Sequence, residues 1–136
     1  MTVLIDTNVI LDAIIGRSPY NVAAEKIFLL AAEEKINTCI TANCVTDIYY
    51  LVHKHLHDIS QSKEVLRKLF TIFTVLDITE NDCEKSLELD MFDYEDALLS
   101  VCAKRNNMDY IIIRNIKDFS VSPLKAINPN DFLLKI

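Results

Sequence analysis

The stretch from Asp93 to Phe119, DYEDALLSVCAKRNNMDYIIIRNIKDF, decides how the rest of the chain is read, because it holds one helix, one buried strand and a polar cluster at each end. Asp93 is an N-cap type of residue, and Asp96 follows three positions later on the same first turn. Ala97, Leu98, Val101 and Cys102 recur at helical spacing and form the inward face. Asn106-Asn107 stops the helix. Tyr110 to Ile113 is an unbroken apolar run rich in β-branched residues, which suits a strand covered on both faces, and Arg114-Asn115 leaves its carboxyl end. A helix antiparallel to the strand that follows it begins at the edge where that strand finishes. Asp93, Asp96 and Asn115 are therefore expected to converge.

The bulk numbers bound the answer. A chain of 136 residues, 51% hydrophobic and 25% charged, is globular and long enough for a real core, and one domain spanning residues 1–136 is expected. A net charge of -6 with only 14 Lys and Arg argues against holding nucleic acid by bulk electrostatics, so any such role is local or metal-mediated. Cys39, Cys44, Cys83 and Cys102 show no C-x-x-C pairing and lie mostly in apolar segments, which reads as reduced thiols in a cytoplasmic protein. The apolar start Val3-Leu4-Ile5 meets Asp6 at once, too short for a signal peptide or a membrane span. Gly16 is the lone glycine, so loops that cradle nucleotide phosphates through several spaced glycines are excluded.

Taken in order, Thr2 to Ile5 reads as a buried strand ending in Asp6-Thr7-Asn8, followed by a brief helical period through Val9, Ile10, Ala13 and Ile14. Ser18-Pro19 reads as a helix start, with the apolar stripe Val22, Ala23, Ile27, Leu30 and Ala31 running to about Glu34. Asn37 to Thr41 is a second strand. Asn43 reads as the cap of a third helix with Val45, Ile48, Tyr49, Val52 and Leu56 inward and Asp47 near its start. Ser60 opens a further helix, Phe73 to Ile78 a further strand, and Thr79 with Asp82 a capping-box pair before a helix to about Leu89. Leu124 to Ile127 reads as an edge strand, and Asn128-Pro129 as the cap of a last short helix. Strands alternating with helices imply a parallel α/β sheet, whose ligands bind outside the carboxyl ends of the strands. Asp6, Asp47, Asp93, Asp96 and Asn115 all map to that edge.

Carboxylates gathered without matching cations repel one another, which raises their pKa values and costs stability unless a cation sits among them. An all-oxygen site selects hard ions, and Mg²⁺ or Mn²⁺ fits, because these ions take one or two carboxylates, keep waters and accept substrate phosphate oxygens. Two such ions about 3.5–4 Å apart serve an in-line phosphodiester displacement, and four Asp charges balance two of them. Each acid also has a plain structural reading: Asp93 and Asp96 as cap and first-turn acid, Asp47 as a solvated helix residue, Asp6 as a turn residue. Arg17, Lys54, Arg114 and Lys117 are candidate phosphate contacts or ordinary surface. His53 and His57 share a helix face but lie far along it from Asp47, where the helix C-terminus favours His, so they read as structural.

Four segments together carry a resemblance: Asp6-Thr7-Asn8 after an apolar strand, TDIYY from Thr46 to Tyr50, DYEDAL from Asp93 to Leu98, and IIRNIKDF from Ile112 to Phe119. In this order and almost end to end, they resemble PIN-domain ribonucleases, a family that includes toxins of bacterial toxin-antitoxin pairs. The resemblance implies a three-layer α/β fold with a central, mostly parallel five-stranded sheet in the order 3-2-1-4-5. It implies an Mg²⁺ or Mn²⁺ site that cuts single-stranded RNA, an antitoxin protein as partner and, for some members, a homodimer. Asp6 stands as the first acid, Asp47 where Glu is commoner, Asp96 as the third with Asp93 beside it, and Asn115 in the fourth position, where many members carry Asp. The amide oxygen of Asn115 still serves to ligate or to orient water. Thr7, Asn8, Arg114 and Lys117 are the expected substrate contacts. Two rivals remain: a PIN-like module that binds RNA or protein without turnover, and a phosphatase using Asp6 as nucleophile, against which stands Asn8 where such enzymes carry a second Asp.

Overall fold

The computed structural model describes residues 1–136. Five strands, β1 (Thr2–Ile5), β2 (Asn37–Thr41), β3 (Thr74–Leu76), β4 (Tyr110–Ile112) and β5 (Ala126–Ile127), form one sheet in the order β3-β2-β1-β4-β5. Every pairing is parallel, with Leu4 of β1 opposite Cys39 on one side and Ile111 on the other. The expected order 3-2-1-4-5 is the one observed.

Period-two alternation divides the strand side chains between two cores. Val3, Ile5, Ile40 and Ile112 face the larger core, whereas Leu4, Cys39, Ile111 and Ile113 face the smaller one. The first core is closed by α1 (Thr7–Leu11), α2 (Asn21–Ala32), α3 (Val45–Leu56), α4 (Ile59–Ile72) and α7 (Pro129–Leu133), which bury Ile10, Ile27, Ile48, Leu69 and Phe132 against it. On the opposite face α6 (Tyr94–Arg105) contributes Ala103, and α5 (Glu80–Ser86) packs beside it. The layering is helices, sheet, helices, so the central strands β1 and β4 are covered on both faces and are largely apolar, whereas the edge strand β3 is exposed.

Several helix ends differ from the sequence expectation. α2 begins at Asn21, after a turn over residues 18–20 that includes the cis Ser18-Pro19 bond, and Tyr20 occupies the cap position without a side-chain bond. A 3₁₀ turn, Ala42–Cys44, feeds directly into α3, so Asn43 lies inside that turn and caps nothing. α4 is capped by Asp58, which accepts from the Gln61 N–H at 2.8 Å, and Ser60 falls in its first turn. Phe73 ends α4 and packs edge-on against Phe28 at 5.0 Å, which shortens β3. By contrast, the Thr79–Asp82 capping box is present in both directions, and Asp82 also pairs with Arg105 at 2.8 Å. Asn128 caps α7 with Pro129 at its start, as the sequence leads one to expect. Gly16 has φ +77, a conformation that strains any side chain, and it ends a π-helical turn, Asp12–Gly16, that continues α1.

Candidate active site

Parallel strands bring the ends of β1, β2 and β4 to one edge, and the helices that start there deliver acids from both faces of the sheet. Asp6 leaves β1, its own N–H bonding the Ile112 carbonyl at 3.0 Å, and its carboxylate caps α1 by accepting from the Asn8 N–H at 3.1 Å. Asp47 stands in the first turn of α3. Asp93 caps α6 by accepting from the Asp96 N–H at 3.0 Å, and Glu95 and Asp96 complete that helix's first turn.

These groups share a cleft of about 780 Å³. Asp6, Thr7, Asn8, Asp47, Asp93, Asp96, Arg114 and Asn115 all line it, so eight of the eleven candidate site residues singled out from the sequence meet there. Lys117 does not line it. It sits exposed in a 3₁₀ turn, Lys117–Phe119, and its backbone N–H donates to Asn115 Oδ1 at 3.1 Å. Glu95 and Asp118 also line the cleft and were not expected there, nor was Tyr20. Glu95 is legible afterwards as the third residue of DYEDAL, whereas nothing local marks Tyr20, which reaches the cleft through the fold.

Six carboxylates and one guanidinium make a strongly one-signed site, and the acids register it. Asp96 is pushed up to about 6, first by burial and then by the charges of Asp93, Asp6, Glu95 and Asp118. Burial also raises Glu95, with Asp47, Asp6 and Asp93 adding to it. Asp6 is raised by burial too, against the opposing pull of the Asn8 and Thr7 N–H groups and of Arg114.

Arg114 is held from behind. Its Nε donates to Asp12 Oδ2 at 2.7 Å and its Nη2 donates to Oδ1, while Asp12 is only 1% exposed. Arg17 approaches the same carboxylate, Nε to Oδ1 at 2.9 Å, in an ion pair that is not an aligned hydrogen bond, and its Nη2 donates to the Asn8 carbonyl at 2.9 Å. Two arginines thus share one buried acid. Arg17 does not line the cleft and is spent on this network; Lys54 is an exposed residue in the last turn of α3 and does not line the cleft either. His53 stacks on the half-buried Tyr49 at 6.1 Å, and His57 is the left-handed cap of α3 with φ 54.

No three His, Cys, Asp or Glu side chains are drawn close enough together to hold a metal ion as they stand. The donor set nonetheless fits Mg²⁺ or Mn²⁺: it is all oxygen, it carries excess negative charge, and the open cleft leaves room for water and phosphate oxygens as further ligands. Asp6, Asp47, Asp93 and Asp96, the four Asp that could hold such an ion, all line the cleft, and Glu95 lines it with them.

A search of curated proteins found no match. Among solved structures, the fold is similar to VapBC2 from Rickettsia felis bound to a DNA fragment from its promoter, with TM-score 0.70, 21% identity, and 94% of this chain and 98% of that chain covered. It is also similar to DNA-bound VapBC from Salmonella typhimurium, with TM-score 0.69, 16% identity, and coverages of 95% and 98%. A third similar structure is VapC20 of Mycobacterium tuberculosis, described as a sarcin-ricin loop cleaving toxin, with TM-score 0.68, 14% identity, and coverages of 90% and 95%. At these identities the likeness is one of fold. The PIN domain family model matches residues 2–117, which takes in the sheet through β4, the segments that carry Asp6, Asp47, Asp93 and Asp96, and Asn115. The chain belongs to the PIN-domain family.

Proposed function

We propose that this protein is a metal-dependent endoribonuclease that hydrolyses phosphodiester bonds of single-stranded RNA, acting in the cytoplasm as the toxin of a toxin-antitoxin pair. The observation that carries the reading is the convergence of Asp6, Asp47, Glu95 and Asp96 on one cleft at the carboxyl edge of the sheet, with Asp96 raised to about 6. Such a cluster is costly to the fold by itself, and its chemistry suits a hard divalent ion. The fold likeness to toxin-antitoxin complexes from several bacteria supports an antitoxin protein as partner, and the description of VapC20 supports RNA as substrate.

In this mechanism Asp6, Asp47, Asp93 and Asp96 would hold the ion, and residues 1–136 act as one PIN-like domain. When bound, Mg²⁺ or Mn²⁺ supplies Lewis acidity at the phosphodiester and lowers the pKa of water. The Asp93 cap fixes the first turn of α6, so that the Asp96 carboxylate is presented without further reorganisation. Asp96 would have to be ionised to serve as a ligand, whereas burial and the neighbouring acids favour its neutral form in the absence of an ion. The amide of Asn115 lines the cleft and orients the substrate or the attacking water, its Oδ1 already accepting from the Lys117 N–H.

That engaged oxygen favours a second reading, in which the site binds without turnover. Incubating the purified protein with labelled single-stranded RNA in Mn²⁺, in Mg²⁺ and in chelator separates the two. Endonucleolytic cutting in either ion and none in chelator is expected; an inert protein in all three would support the binding module, and hydrolysis of a simple phosphate monoester instead would revive an Asp6 nucleophile.

A further inference from the structure

An acid-lined cleft faces a difficulty as an RNA site, because its six carboxylates repel the phosphate backbone and its one guanidinium is already paired with Asp12. Phosphate contacts are the usual source of nucleic-acid affinity, and here they are scarce. The same cleft, however, carries two exposed aromatic rings from two different elements. Tyr20, just before α2, is 50% exposed, and Tyr50, one turn along α3 from Asp47, is 63% exposed. Both line the cleft, and neither belongs to either core.

Tyr20 is not a loose surface ring. The guanidinium of Arg114 lies over it, 4.0 Å from the ring centroid, and that guanidinium is fixed by two hydrogen bonds to the buried Asp12. Buried carboxylate, planar cation and aromatic ring thus form a rigid stack at the cleft wall, which lowers the entropy cost of adding a further flat group. Every nucleobase has a π-face, and stacking on tyrosine is indifferent to the negative charge of the cleft. We propose that Tyr20, locked by the Asp12–Arg114 clamp, is a stacking platform for an unpaired base of the substrate strand, and that Tyr50 supplies a second platform in the same cleft.

This deepens the ribonuclease reading and rests on it: the substrate it names is RNA whose bases are splayed out of any duplex around the cut. Two flat stations cannot be reached by bases held in A-form stacks, so the platforms select single strands, loops or bulges over helices. The platforms' share of the affinity carries no charge, so replacing either tyrosine should weaken binding without changing its salt dependence.

The test is binding of a fluorescent single-stranded RNA oligonucleotide in Ca²⁺, alongside cleavage of the same RNA in Mn²⁺, for wild type, Tyr20→Ala, Tyr20→Phe, Tyr50→Ala and the double alanine variant. Each alanine should weaken binding by roughly tenfold, Tyr20→Phe should retain it, and the salt slope should stay unchanged. A 2-aminopurine base in the strand should be quenched on binding to wild type, and less so in the alanine variants. Replacing single bases by abasic sites should reproduce the Tyr20→Ala loss at one position and be non-additive with it. If wild type cuts RNA but Tyr20→Ala and Tyr50→Ala bind and cut as it does, the platforms are wrong and the ribonuclease reading stands. If wild type neither binds nor cuts RNA, both fall. A Tyr20→Phe variant as weak as Tyr20→Ala would also overturn the stacking role.

Discussion

Arg114 and Asp12, 102 residues apart in the chain, are joined by two hydrogen bonds that tie the exit of β4 to the π-helical turn after α1. The contact anchors the cleft-lining segment after β4 to a turn that does not itself line the cleft. It leaves Arg114 half-exposed at the cleft and Asp12 wholly inside.

Arg114→Ala should therefore destabilise the fold as well as impair RNA handling. It leaves the Asp12 carboxylate buried with only the poorly aligned Arg17, and loss of one partner from a buried pair costs about 3 kcal/mol. Arg114→Lys should recover little, since an ammonium cannot span both carboxylate oxygens. Urea unfolding midpoints of the three proteins check this; equal midpoints would mean the pair is not a structural clamp.

Asp96 should cost the metal-free protein stability near neutral pH. Its carboxyl titrates at about 6 in the fold against an ordinary value of 3.8. The stability tied to its neutral form is complete below about pH 4 and is lost as the pH rises through 6. In chelator, Asp96→Asn should thus gain about 1–2 kcal/mol over wild type between pH 4 and 7, a figure reduced for the partial exposure of the site. Parallel stability curves for the two proteins across this range would refute the assigned repulsion.

The same charge cluster predicts the response to metal. Mg²⁺ or Mn²⁺ should raise the melting temperature in a concentration-dependent way, by an amount equivalent to about 2.7 kcal/mol at a hundredfold excess over Kd. The shift should shrink below pH 6, where the ion competes with the Asp96 proton. Thermal melts over a range of Mn²⁺ concentrations at pH 5 and pH 7.5 read both effects, and a curve indifferent to Mn²⁺ at both pH values would count against a metal site.

Asn115 lets the enzyme and the binding module be told apart. Asn115→Asp keeps an oxygen for the Lys117 N–H and adds a negative charge to the cleft, so metal binding should tighten and cleavage persist at lower Mn²⁺. Asn115→Ala loses both the turn bond and the amide dipole and should weaken cleavage several-fold. An inert wild type rescued by Asn115→Asp would instead mark a site that has lost turnover.

Much of this architecture was legible because local chemistry and global fold agree. The Asp93 and Thr79 caps, the apolar strands and the alternation of strands with helices all follow from spacing. What escaped sequence reading depends on partners distant in the chain. Asp12 looks like any acid in a short helical run until Arg114 arrives from across the sheet, and Tyr20 looks like a turn residue until Arg114 lies over it. Asn43 and Ser60 have good capping chemistry, yet a 3₁₀ turn and the stronger Asp58 carboxylate take those positions. Glu95 and Asp118 are exposed acids that read as ordinary surface in the sequence, and their place in the cleft wall appears only when α6 and the segment after β4 are brought to one edge.

The most direct test of the central claim is cleavage of single-stranded RNA as a function of Mn²⁺ concentration by wild type, Asp6→Asn and Asp96→Asn, each confirmed as folded by its melting curve. The account predicts cutting by wild type that rises with Mn²⁺ and vanishes in chelator, and loss of cutting by at least a hundredfold, to order of magnitude, in both variants while their metal-free melting temperatures hold or rise. Cleavage by either folded variant at the wild-type rate would contradict it.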